Sequence, residues 1–260
     1  MPAVNPENLS RRIESVLLLL GEPRRFARAC NELLEFYADR TKRRKATLGQ
    51  VATARVLRVS RPVLRTLCNE IQHFKHEEKT DWLEAAELMW NTGVREGRFV
   101  AACLLNRAAQ ENAPIYAEAW AEACEDVVAL ERLASNGLSV WREQEPDVFI
   151  QVLKRWIDDH RLQVRHLALL SITSVSRDST FDKYLPDAFR MLHGITAKVR
   201  GESIQSLYKL MRQLAKRSSA ETAKFLLDES KAGHPGAKRL IRNTIESLPG
   251  NYHEAINRAL

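Results

Sequence analysis

Arg40, Lys42, Arg43, Arg44 and Lys45 put five cations into a run of six residues. Guanidinium and ammonium groups at that density suit phosphate oxygens, and sequence-independent contact with a nucleic-acid backbone is the chemistry they could do. A solvated loop or helix end carries the same text. The whole chain leans the same way: 40 Lys and Arg against 33 Asp and Glu give a formal net charge of +7 and a pI near 9.4. Such a field favours phosphate-rich or acidic partners, although a merely soluble basic protein would also show it.

Metal and cofactor chemistry find little support. Cys30, Cys68, Cys103 and Cys124 lie far apart, with no Cys-x-x-Cys and no His at ligand spacing. No metal and no cofactor is therefore expected, and the cysteines are read as buried free thiols in a reducing compartment. The start of the chain does not read as a signal peptide. Val16 to Leu20 is a short apolar run between Arg11-Arg12 and Pro23-Arg24-Arg25, far below the roughly 18 residues of a membrane span. The expectation is a cytoplasmic, nucleoid-associated protein with no membrane contact.

The elements that would position these cations are helices in pairs. Phe149, Val152, Leu153 and Trp156 fall at i, i+3, i+4 and i+7, one apolar stripe on a helix. Asp158 to Arg161 interrupts the pattern, and a second apolar helix enters through Leu162-Gln163-Val164-Arg165. Neither helix can bury its stripe alone. Ile204, Leu207, Tyr208 and Met211 repeat the stripe further on. Arg65, Arg98, Arg132, Arg165, Arg200 and Lys238 recur in steps of 33, 34, 33, 35 and 38 residues. A period of that length with two helices per unit marks a stacked helical repeat.

The Thr-Pro-Leu-His phrase of ankyrin repeats is absent, as are the tetratricopeptide and pentatricopeptide patterns, so a HEAT-like unit fits best. The fold class read from the sequence is all-α: an α-solenoid of HEAT-like helix pairs, curved with a basic concave face. It is expected as one domain over residues 1–260, with N-terminal helices in 1–48 and about six helix pairs in 49–260. Local punctuation predicts helices over 9–20 and 26–37, a helix start at Ser60 with Pro62 in its first turn, and a helix from Asp126 that Asn136-Gly137 ends as a C-cap.

Four stretches resemble the DNA alkylation repair (AlkD-like) HEAT-repeat DNA glycosylases. Leu57 to Arg65 is similar to that family's "GVxxPxLR" phrase, and Ala86 to Arg98 to its "LWxSGxxEER" phrase. Glu131-Arg132-Leu133-Ala134-Ser135-Asn136 resembles "DLLATN", and Arg155-Trp156-Ile157 with Leu162-Gln163-Val164-Arg165 resembles "W…SDNxWxxR". The likeness spans roughly residues 50–245.

The resemblance implies excision of cationic N3- or N7-alkylated purines from duplex DNA, with no metal or organic cofactor, by a monomer. Such a purine is already a good leaving group, and a carboxylate can stabilise the oxocarbenium-like sugar left behind. The family's catalytic carboxylate falls on Glu131, one methylene longer than the Asp it replaces. Its phosphate-contacting Arg falls on Arg165. Two aromatic walls are replaced: one Trp falls on Val127 and the other on Lys209, with Tyr208 next to it on an apolar stripe. The Trp just before the phosphate-contacting Arg becomes Leu162. Trp120 and Trp141 are the candidate substitute aromatics, while Trp156 reads as core.

Three functions follow: an alkylpurine glycosylase using Glu131, a DNA-binding relative without the chemistry, or a scaffold for protein partners. The positive charge favours duplex DNA as the partner, and the lost aromatics favour binding without excision.

Overall fold

Six helices carry a proline at their first or second position. Pro6, Pro23, Pro62, Pro114, Pro146 and Pro186 each occupy a first turn, where a missing N–H costs nothing and the fixed φ is already helical. In the computed structural model of the chain, residues 5–39, 55–75, 81–108 and 110–258 are described. The fold is all-α; no strand occurs among the described residues. Nor is any helix among them long and apolar enough to cross a membrane.

The chain divides into two compact units. The first, Met1–Gln144, holds α1 (Pro6–Leu17), α2 (Pro23–Phe36), α3 (Arg61–His73), α4 (Trp82–Asn91), α5 (Arg95–Leu105), α6 (Ala113–Glu122), α7 (Val127–Arg132) and α8 (Ser139–Gln144). The second, Glu145–Leu260, holds α9 (Pro146–Ile157), α10 (Leu162–Val175), α11 (Leu185–Leu192), α12 (Glu202–Arg217), α13 (Ser219–Lys231), α14 (Ala237–Thr244) and α15 (His253–Asn257).

Within each unit a helix packs on its successor and on the next but one. In the first unit α4 lies on α5, α2 on α4 and α3 on α5. In the second α9 lies on α10, α10 on α12 and α12 on α14. This is how helix pairs with one apolar stripe each share a continuous core. Phe149, Leu153 and Trp156 are fully buried, and so are Leu207 and Met211.

A strap of extended chain enters the first unit before α3. Arg55 pairs with the turn before α5: its N–H donates to Gly93 O at 3.1 Å, and Arg95 N–H returns a bond to Arg55 O at 2.9 Å. The buried Glu96 carboxylate accepts the N–H groups of Leu57 (3.0 Å) and Arg58 (2.7 Å). Arg58 has φ of 60°, the one left-handed non-glycine residue among those described. Such a residue costs about 1–2 kcal/mol, which the two charge-assisted bonds offset.

Three expectations are corrected. Cys68 and Cys103 are not free thiols but a disulfide, because α3 and α5 pack with these Cα atoms 5.7 Å apart, within bridging range. Cys30 and Cys124 are free and buried, and burial pushes the Cys30 thiol up to about 12. Ser60 stands at the head of α3, but its hydroxyl makes no capping bond. Gly137 is not a left-handed cap either. α7 stops at Arg132 and widens into a π turn, Leu133–Gly137. A Cβ on Gly137 would lie 2.9 Å from Leu133 Cδ1 and 3.4 Å from Ala102 Cα on α5, so close helix approach is what this glycine permits.

Candidate nucleic-acid interface

Lys209, Arg212 and Lys216 stand at i, i+3 and i+7 on α12, opposite the buried Leu207, Leu210, Met211 and Leu214. An amphipathic helix that buries one stripe must present the other, and here that other stripe is cationic. Arg177, just after α10, and Arg217 at the end of α12 join the row around an open cavity of about 670 Å³. Ser176, Gln213 and Ser247 complete its lining, which contains no carboxylate.

The row is partly ordered by its neighbours. Arg177 Nε donates to Gln213 Oε1 at 3.3 Å, and Arg212 Nε donates to the Tyr208 carbonyl at 3.3 Å. The Arg217 guanidinium is paired with Asp182. Positions i to i+7 span about 10 Å of helix axis. A duplex backbone offers more than one phosphate over such a length.

Of the residues singled out from sequence, Lys209 lies in this row and is exposed. Its neighbour Tyr208 is 6% exposed and belongs to the core, as its place on the stripe predicts. Arg165, the fourth residue of α10, donates from Nη2 to the Asp159 carbonyl (2.6 Å) and from Nη1 to the Lys198 carbonyl (2.5 Å). It thereby ties the turn before its own helix to the turn of the following pair. Arg200 behaves alike, donating to the carbonyls of Ala197 and Val199. Arg165 and Arg200 thus hold turn carbonyls in the second unit. Arg40, Lys42, Arg43, Arg44 and Lys45 lie outside the described residues.

Glu131 belongs to the first unit, half-buried near the end of α7. Asp126 caps that helix: its carboxylate accepts from Val128 N (3.1 Å) and Ala129 N (3.4 Å) and holds Arg95 Nε at 2.7 Å. Val127 is four residues before Glu131, so the two share a helix face. The face that carries the carboxylate is aliphatic one turn away. Of the substitute aromatics, Trp141 is 1% exposed and forms core. Trp120 stacks on Trp90 with ring centroids 4.7 Å apart and planes 10° from parallel. With Tyr116, Ile115 and Glu87 these rings line a second open cavity of about 510 Å³, and Glu131 is not in that lining.

The arginines and lysine on and beside α12 were only partly legible in advance. Lys209 was reached through an aligned motif, whereas Arg212 and Lys216 follow from reading the polar face of the same helix.

Comparison with known proteins adds one match. The family model for the DNA alkylation repair enzyme matches residues 31–240. No curated protein and no solved structure matches the chain.

Proposed function

Since the chain belongs to the DNA alkylation repair enzyme family, we propose that it binds duplex DNA through the cationic face of α12 in the service of alkylation repair. The observation that carries this reading is the row of Arg177, Lys209, Arg212, Lys216 and Arg217 around one carboxylate-free cavity. Backbone phosphates are the ligand such a row fits, and contacts of this kind position a protein without reading sequence. The run from Arg40 to Lys45 is a second proposed phosphate-contacting segment.

Base excision by Glu131 is the second reading, favoured by a half-buried carboxylate where the family resemblance puts one. There the bond between sugar and cationic purine would break with its electron pair passing to the base. Glu131 would stabilise the resulting oxocarbenium-like sugar, and water would add with loss of a proton. Val127 supplies no aromatic wall beside that carboxylate, and Lys209 stands in the sequence where the family resemblance puts the second aromatic. Both features support DNA binding without excision.

The test is duplex DNA binding across a salt series, together with base release from N7-methylguanine DNA. The wild type is set beside Glu131→Gln and the triple variant Lys209→Ala/Arg212→Ala/Lys216→Ala. The triple variant is expected to weaken binding to any sequence and to flatten the salt slope by about 3, near 0.9 per lost contact. An unchanged slope would take α12 out of the interface, and no binding at low salt would sink the DNA reading. Base release that disappears in Glu131→Gln would establish excision as the activity.

A further inference from the structure

We propose that His193, Glu229 and His234 bind a divalent transition-metal ion of the zinc class. The three side chains come from the C-cap of α11, the body of α13 and the turn after α13. One ligand atom from each lies within 4.8 Å of the other two. Zinc with bonds of about 2.0–2.2 Å to nitrogen and oxygen sets tetrahedral neighbours about 3.4 Å apart. Only a small contraction separates this cluster from a coordination sphere.

The carboxylate is what demands an explanation. Glu229 has no exposed side-chain surface, and its oxygens meet His193 Nδ1 at 2.9 Å, His234 Nδ1 at 3.1 Å and the Gly194 N–H at 2.9 Å. No Lys or Arg is paired with it among the described residues. A buried carboxylate is expensive without a positive partner, and imidazole, unlike guanidinium, does not carry a fixed charge. A dication between the three groups would supply it.

The backbone is shaped for convergence. Gly194 (φ 69°) follows His193, and Gly233 (φ 66°) and Gly236 (φ 86°) bracket His234 and Pro235. These left-handed positions bend both turns back onto α13. The two rings meet edge to face, centroids 5.1 Å apart and 74° between planes, and each turns its Nδ1 toward Glu229. The His193 side chain is 56% exposed, which gives an ion a way in and leaves room for water as a fourth ligand.

Two imidazoles and one carboxylate without thiolate suit zinc, cobalt or nickel better than magnesium or calcium. The ion would clamp the turn after α11 to the α13–α14 turn, and DNA binding by α12 does not depend on it. The test is titration of the metal-free full-length protein with Co²⁺, read by visible absorption, and with Zn²⁺, read by calorimetry. One equivalent is expected, with a tetrahedral cobalt spectrum lacking thiolate charge-transfer bands. His193→Ala and His234→Ala, neither a core substitution, are expected to weaken binding at least 100-fold, more than second-shell changes do. Folding of each variant is checked by circular dichroism. No cobalt spectrum and no zinc heat would overturn the proposal, as would binding that survives both variants.

Discussion

His166 lies on α10 with its Nε2 2.7 Å from the Ser206 hydroxyl of α12, and burial pushes its pKa down to about 4. Between about 4 and the ordinary value of 6.5 the unfolded chain holds a proton that the folded chain refuses. Stability therefore rises with pH across that window and drains away as acid is added. Chemical denaturation of the wild type should lose roughly 3 kcal/mol more than His166→Gln between pH 6.5 and 4. Parallel pH profiles for the two proteins would refute that. Side-chain fates set by local period were legible at this scale: Trp156 and Tyr208 are core, and Lys209 faces out. Fates set by packing were not. The Cys68–Cys103 bridge joins residues 35 apart through the meeting of α3 and α5. His193, Glu229 and His234 come together through two turns that no motif announces.

The elements were more legible than the residues, because apolar stripes signal many of them and a first-turn proline marks six. The two best phrases of the family resemblance turn out to be bonded to each other. Glu96, in the phrase from Ala86 to Arg98, holds the N–H groups of Leu57 and Arg58, which open the other phrase. Glu96→Ala should cost roughly 3 kcal/mol in urea denaturation with the m-value unchanged, since two backbone donors lose a charged acceptor. A loss below about 1 kcal/mol would mean that water satisfies those donors instead. The end of α7 was misread for a definable reason. Asn-Gly after a helical run usually signals a left-handed cap, whereas here the glycine admits α5 at close range and the chain widens into a π turn. Such turns leave no period in the sequence.

At the scale of the molecule, the all-α class read from the sequence holds, and the DNA alkylation repair enzyme family model matches residues 31–240. A net charge of +7 is spread along the chain, and α12 gathers Lys209, Arg212 and Lys216 of it on one face. One further consequence follows from the strap before α3. Asp39 N–H donates to Leu57 O at 3.2 Å, so the end of the N-terminal helical pair is tied to the strap. α1 packs on α3 and α2 on α4, so the N-terminal helices are joined to the rest of the unit by packing as well as by the chain. Two polypeptides divided between residues 47 and 48 should assemble when co-expressed and co-elute as one 29.7 kDa particle, parting only in denaturant. Separate elution would show that the covalent link is required. Assembly would make the molecule a split reporter whose two halves report each other's presence.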